Sequence, residues 1–314
     1  MDAITAADVV LANGTLVKAS SSQNANIFWA IRGAADSFGI VTNFYMQTRP
    51  APDSVTYFAI PWSGMFASKA TFTNSWLRLQ EIARNASIID NRISFGVYMD
   101  NYGTFSLSGA FFGTPSEFNS KILPEFRRNM PTPGTVTVQP YAWYDYLVLV
   151  SGKSSIKEPL TNYAEHENFF AKSLTVPESS GFSAAALDAL YTYIKTAGST
   201  QFYIITNLYG GPGSAINAKN TDFAAYSDRD SLWVLQNYGY GAESINFVQG
   251  INDAVIRAQP QTRFGAYLNY VDPSYDAATA HQLYYGDALY ARLLALKRQV
   301  DPQSVFWNPQ AVGA

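Results

Sequence analysis

The 314-residue chain holds 2 histidines, no cysteine and 21 tyrosines, and this inventory limits the chemistry open to it. Without a thiol there is no thiolate nucleophile, no disulfide, no cysteine-ligated zinc and no iron–sulfur cluster. His166 stands in Glu165-His166-Glu167-Asn168 with no second histidine four residues away, so the zinc-protease helix pattern is missing. Both His166 and His281 read as ordinary solvated side chains. No Gly-x-Ser-x-Gly elbow offers an activated serine. Neither a Walker loop nor Gly-x-Gly-x-x-Gly is there to cradle phosphate in the familiar ways. Tyrosine remains. A phenol titrates near about 10, so it can act as a general base only where a neighbour or a cofactor supplies the driving force.

Only 14% of the residues are charged, against about 25% in an average soluble domain, while 15% are aromatic. Phenol hydroxyls and the many Asn, Gln, Ser and Thr residues supply polar surface without formal charge, a surface suited to sugars and other neutral polar ligands. The net charge is −3, and no basic cluster exceeds a pair such as Arg127-Arg128, so nucleic acid is not an expected partner. No run approaches the roughly 18 apolar residues that a membrane-spanning helix needs. The 47% apolar content is enough for a real core.

The elements that must position the tyrosines follow from pattern. Two β-rich runs around Asn13-Gly14 predict a hairpin over 8–18. A short helix over 27–32, ended by Gly33, and a strand over 38–46 come next. Pro50-Ala51-Pro52 marks a domain crossing. Beyond it lie a strand over 55–60, a helix over 65–84, antiparallel strands over 93–99 and 104–112, and a helix opened by the Thr114-Pro115-Ser116-Glu117 capping box. The stretch 131–181 reads as loop. A helix over 184–196, strands over 201–208 and 231–238, a turn at Gly210-Gly211-Pro212-Gly213, a strand-like 265–271 and one long helix over 278–298 complete the chain. Strands and helices that seldom alternate strictly predict an α+β fold rather than a parallel sheet.

Three segments near the start, Asp8 to Thr15, Asn26 to Gly33 and Ser37 to Thr42, resemble successive signatures of the berberine bridge enzyme-like family of FAD-linked oxidases, its fungal carbohydrate-oxidase branch in particular. Tyr267-Leu268-Asn269-Tyr270 and Tyr285-Gly286, Arg292-Leu293, Lys297, Asp301-Pro302, Val305-Phe306 and Asn308-Pro309-Gln310 are similar to its C-terminal segment. The resemblance implies FAD as cofactor. It also implies hydride transfer from a hydroxyl-bearing small molecule to the flavin, and oxygen as the acceptor that yields hydrogen peroxide. On this pattern Tyr270 matches the base beside the flavin. Gly39, Ile40 and Val41 match the backbone stretch against the cofactor, and Asn269 helps to fix the local strand. Gln236 and Tyr238, two apart on a strand, look like a sugar-contacting pair projecting from one face; ordinary sheet-surface positions are the alternative reading.

Two positions depart from the carbohydrate oxidases. Asn207 stands where they commonly carry an acid, and an amide can donate to a phenolate oxygen but cannot take its proton. Ile205 stands where they have a polar sugar ligand. Both departures favour a modified substrate, an alcohol or a secondary-metabolite precursor. The likeness implies the second half of a PCMH-type FAD-binding domain over 1–52, a substrate-binding domain over 53–262 built on an antiparallel sheet flanked by helices, and a C-terminal segment over 263–314 that returns to the FAD domain. It also implies that a first flavin subdomain precedes this sequence, which would leave an exposed apolar patch or sheet edge on the flavin half. An extracellular location is expected from the family, and Asn13-Gly14-Thr15 and Asn85-Ala86-Ser87 fit the glycosylation pattern. The alternative to an oxidase is a non-catalytic remnant that binds a sugar or a small polar ligand.

Overall fold

The computed structural model describes residues 1–157 and 168–314; His166 lies outside them. In chain order the described residues form β1 (Ile4–Val10), β2 (Leu16–Ser20), α1 (Ala25–Ala34), β3 (Ile40–Met46), β4 (Ser54–Pro61), α2 (Lys69–Arg84), β5 (Ile93–Asp100) and β6 (Phe105–Phe111). Then come α3 (Pro115–Glu117), α4 (Leu123–Arg127), β7 (Thr137–Ala142), α5 (Trp143–Ser151), β8 (Phe169–Pro177), α6 (Ala184–Ile194), β9 (Phe202–Leu208) and β10 (Ser231–Tyr240). The chain ends on α7 (Ile245–Ala258), α8 (Ala277–Tyr284) and α9 (Gly286–Val300). They make two compact units. Unit 1 comprises Met1–Pro50, Ala215–Asp230 and Gly265–Ala314; unit 2 comprises Ala51–Ser214 and Ser231–Phe264.

Unit 1 is built on an antiparallel sheet of order β2-β1-β3. The hairpin expected at Asn13-Gly14 is present: Gly14 takes φ +80°, and the Asn13 side chain accepts from the Thr15 amide at 3.0 Å. Val9 and Ala19 turn inward to meet Phe28 and Trp29 of α1 and the Leu289, Leu293 and Leu296 stripe of α9, whose spacing keeps those leucines on one helical face. Two expectations give way here. Gly33 does not end α1, which kinks at Arg32 and runs on to Ala34. A Cβ at Gly33 would stand 1.8 Å from the Ala225 carbonyl oxygen, so glycine is required for backbone to pass backbone. The single long C-terminal helix is two, α8 and α9, parted at Gly286 with φ +66°. His281, expected in solvent, is buried: its Nε2 lies 2.9 Å from the Ala311 carbonyl, and its ring stacks on Tyr290 at 4.2 Å.

Unit 2 carries a seven-stranded sheet of order β7-β4-β6-β5-β9-β10-β8, every neighbouring pair antiparallel. With helices flanking this sheet, the α+β class stands. Alternation divides the strands between two faces. Phe58, Phe95, Val97, Leu107, Ile204 and Leu235 belong to a core that also takes Phe72, Trp76 and Leu79 of α2, Leu187 of α6 and Ile251 of α7. Ser68 caps α2 by accepting from the Thr71 amide, and Ser183 caps α6 by accepting from Ala186. Thr114 accepts from the Glu117 amide as the capping box requires, but the helix it starts passes through a π turn at Phe118–Ile122 before α4.

The stretch read as loop contains β7, α5 and β8 among its described residues. Pro140 disguises β7, yet an edge strand pairs on one side only and tolerates a missing N–H. Lys172 and Ser173 interrupt the apolar run of β8, yet both are buried. The strand expected over 265–271 is absent. Those residues instead turn back, the Tyr270 amide donating to the Tyr267 carbonyl at 2.9 Å.

Candidate functional site

The face of the unit 2 sheet away from its core is where chemistry-bearing groups collect. A cavity of about 380 Å³ opens there, bounded by Tyr57 of β4, Tyr98 of β5, Tyr146 and Val150 of α5, and Ile205 and Asn207 of β9. Asn207 is held by what its neighbour lacks. Antiparallel register sets it opposite Gly96, and a Cβ on Gly96 would stand 2.5 Å from the Asn207 Oδ1. The amide therefore lies across the glycine, in space that any other residue on β5 would occupy.

Burial pushes all three cavity phenols above the ordinary phenol range. Tyr141 adds to this at Tyr57, the Asp100 carboxylate at Tyr98, and Tyr57 at Tyr146. At neutral pH these rings present protonated hydroxyls, each able to donate as well as accept. Beside the cavity a row of aromatic rings crosses four strands. Tyr98 stacks on Tyr203 at 5.7 Å, Tyr203 on Tyr238 at 4.7 Å and 11°, and Tyr238 meets Phe169 at 5.5 Å. Contacts of this kind contribute about 0.5–1.5 kcal/mol each beyond simple burial, which holds the row rigid.

Gln236 and Tyr238 of β10 share this face with Ile205 and Tyr203, to which they pair in register; Asn237 between them turns inward and donates to Asn252 at 2.7 Å. Gln236, Tyr238, Asn207 and Ile205 are thus gathered on one surface. Tyr57, Gly96, Tyr98, Tyr146 and Tyr203 join them although the sequence reading had not singled them out. Alternation in Phe95-Gly96-Val97-Tyr98 could have pointed to two of these, since Phe95 and Val97 take the core side. Tyr146 gave no such sign, because α5 lay in a stretch read as loop.

The remaining expected residues belong to unit 1. Gly39 precedes β3, and a Cβ there would meet Val9 Cγ1 at 2.6 Å and the Val10 carbonyl oxygen at 2.8 Å, so its glycine serves the approach of two strands. Ile40 pairs with Val10 and Val41 with Val9. β3 is an edge of its sheet, and Ile40, Phe44 and Met46 are more than half exposed along it, an apolar edge of the kind expected for this half. An exposed, uncharged backbone edge with an apolar side chain fits the flat ring of a flavin. Tyr270 is half-buried, its ring centroid 5.9 Å from that of Tyr267, and Asn269 donates to the Tyr267 hydroxyl at 2.8 Å. Asn269 thus braces a tyrosine in a turn rather than a strand.

Residues 266–313 match the family described as berberine and berberine like. Over 99% of its length the chain is 33% identical to a xylooligosaccharide oxidase of Thermothelomyces thermophilus and 29% identical to a carbohydrate oxidase of Microdochium nivale, and it spans 63% of the length of each. Among solved structures it is similar to the xylooligosaccharide oxidase of Myceliophthora thermophila in complex with xylobiose (TM-score 0.89, 31% identity, 99% of this chain and 66% of that one). It is also similar to the Microdochium nivale carbohydrate oxidase bound to a substrate analogue (TM-score 0.88, 28% identity, 99% and 66%). The family's own segment at 266–313 and a likeness along 99% of the chain identify it, by resemblance, with the berberine bridge enzyme-like FAD-linked oxidases.

Proposed function

We propose that the chain works in an FAD-dependent oxidase that acts on a hydroxyl-bearing small molecule, a sugar, an alcohol or a secondary-metabolite precursor, with molecular oxygen as electron acceptor. The reading is carried by the open face of unit 2, where a chain of this family presents a cavity, a positioned amide and a row of phenols. When bound, FAD would take the hydride from the carbon that bears the hydroxyl, and oxygen would remove the electron pair as hydrogen peroxide. Tyr270 is the base in this proposal: as a phenolate, its own proton having passed to solvent beforehand, it accepts the hydroxyl proton. Gly39, Ile40 and Val41 lie against the cofactor, and Asn269 steadies the turn that carries Tyr270 by holding the Tyr267 hydroxyl. Gln236 and Tyr238 contact the substrate. Asn207 directs its amide at a substrate hydroxyl; being uncharged, it orients that group and moves no proton.

The test is spectroscopic and kinetic. Purified protein supplied with FAD should show a bound-flavin absorption band and form peroxide with an accepted alcohol. Tyr270→Phe should keep the band and lose about a hundredfold or more of turnover, the usual scale for a positioned base. Protein that stays colourless with added FAD would defeat flavin binding by this chain on its own, and a Phe variant as fast as the parent would defeat the proposed role of Tyr270. A binding-only role is favoured by one observation: the cavity is lined wholly by residues of unit 2. Heat on titration with xylobiose, with no peroxide formed, would support it.

A further inference from the structure

We propose that the cavity between α5 and the open sheet face is shaped for a neutral, hydroxylated aromatic compound rather than for a sugar ring. The inference rests on reading this face as the substrate surface and names the class of compound that it prefers.

The walls decide the class. Three tyrosine rings, Tyr57, Tyr98 and Tyr146, and two aliphatic side chains, Ile205 and Val150, surround a volume of about 380 Å³. That lies within the range of small-molecule sites, and a dry cavity of about 150 Å³ already admits benzene. Among the described residues no Lys, Arg, Asp, Glu or His lines it, so those residues offer no counter-charge to an anion or a cation. The Asp100 carboxylate acts on the Tyr98 phenol.

A sugar presents hydroxyls all round its rim, and one placed against the half-buried Ile205 gives up a water partner without gaining another, a cost of about 1–3 kcal/mol. An arene presents two apolar faces and only as many polar groups as its substituents. The cavity's polar groups match that pattern. The Asn207 amide is fixed above Gly96, while Ser94 and Ser108 stand on the neighbouring strands. One face of Tyr98 is taken by Tyr203 at 5.7 Å, and a ligand ring stacking on the other would extend the row of rings already there.

Calorimetric titration of the full chain with 4-hydroxybenzyl alcohol and, separately, with cellobiose tests this without any turnover. The alcohol should bind the tighter of the two. Tyr146→Ala should weaken its binding about five- to tenfold, the scale of one lost ring contact. Ile205→Gln, on a half-buried position of the open face, should narrow the preference by giving sugar hydroxyls a partner. Circular dichroism and thermal melting of both variants establish that they fold. Tighter binding of cellobiose by the parent protein, binding of neither compound, or alcohol binding indifferent to both substitutions would overturn the proposal. Failure of the oxidase reading shows separately, as absence of a flavin band and of peroxide, and leaves these affinities to be read on their own.

Discussion

Lys297 and Asp301 form a buried ion pair one helical turn apart at the end of α9, 3% and 1% exposed, with Nζ 2.6 Å from Oδ2. All three ammonium protons are used, since Nζ also donates to the Ser37 carbonyl at 2.7 Å and the Phe306 carbonyl at 2.8 Å. Asp301 accepts in turn from the amides of Val305 at 2.8 Å and Phe306 at 3.0 Å. Burial alone would raise the Asp301 pKa, but Lys297 and those two amides hold it below the ordinary carboxylate range. Asp301→Asn removes the charge and leaves an ammonium buried without its counter-charge, which costs about 3–5 kcal/mol when one member of such a pair is lost. Lys297→Met should fall at the lower end of that range, because Asp301 keeps both backbone donors. The double variant should cost less than the two singles together, by up to about 3 kcal/mol, since the second change removes the charge that the first one stranded. Hydrogen exchange of peptides covering α9 reads the effect locally: a loss of about 3 kcal/mol appears as opening roughly a hundredfold more frequent. A depressed carboxylate pKa also fixes the pH window. The pair's contribution is complete above the unfolded value near 3.8 and is lost as pH falls through the lower folded value, so acid should loosen α9 in the parent more than in Asp301→Asn. Exchange in Asp301→Asn within threefold of the parent, or costs that simply add in the double variant, would refute the reasoning.

Gly33→Ala should release the segment 215–230 from α1. The new Cβ would stand 1.8 Å from the Ala225 oxygen with backbone on both sides, so overpacking of about 1–3 kcal/mol or more is expected, and limited proteolysis should cut that segment faster. Gly96→Ala should displace the Asn207 amide while leaving the core side of β5 untouched; ligand affinity at the cavity should drop about tenfold with little change in melting temperature, as titration and thermal melts would show. Burial of Tyr284 pushes its phenol up to about 12, against a lowering influence from the Asp272 amide, which donates to its hydroxyl at 3.0 Å. Its contribution to stability is complete below the unfolded value near 10 and is lost as pH rises toward 12, so denaturant midpoints measured between pH 8 and 11 should fall more steeply for the parent than for Tyr284→Phe.

Much of the framework was legible because local rules and tertiary packing agree. The Asn13-Gly14 turn, the serine-capped α2 and the 93–111 strand pair fold as their patterns dictate. What escaped notice is what packing overrides. α7 hides Gly250, Asn252 and Asp253 among poor helix formers and is held by Val248, Ile251 and Val255 on its buried face. β7 carries a proline that only its edge position permits. Nothing in the composition of 215–230 joins it to the chain ends; the join is made by single contacts, the Trp29 indole donating to the Thr221 carbonyl at 2.7 Å and Arg229 pairing with Asp2 at 2.7 Å.

The candidate site escapes a linear reading for a further reason. Tyr98, Tyr203 and Tyr238 lie far apart in sequence, and they form one row only because β9 sits between β5 and β10 in the sheet. Strand order brings the rings together; register aims them. Were β10 to slip by one residue, Gln236 and Tyr238 would enter the core and Asn237 would leave it, so the Asn237 to Asn252 and Asn252 to Ser173 hydrogen bonds, at 2.7 Å and 2.8 Å, hold the outward face in place from the inside. A buried amide pair that loses its partners costs more than it contributes when made, and that asymmetry penalises the slipped register. The polarity of the open face is therefore secured by polar residues on the opposite side of the same sheet.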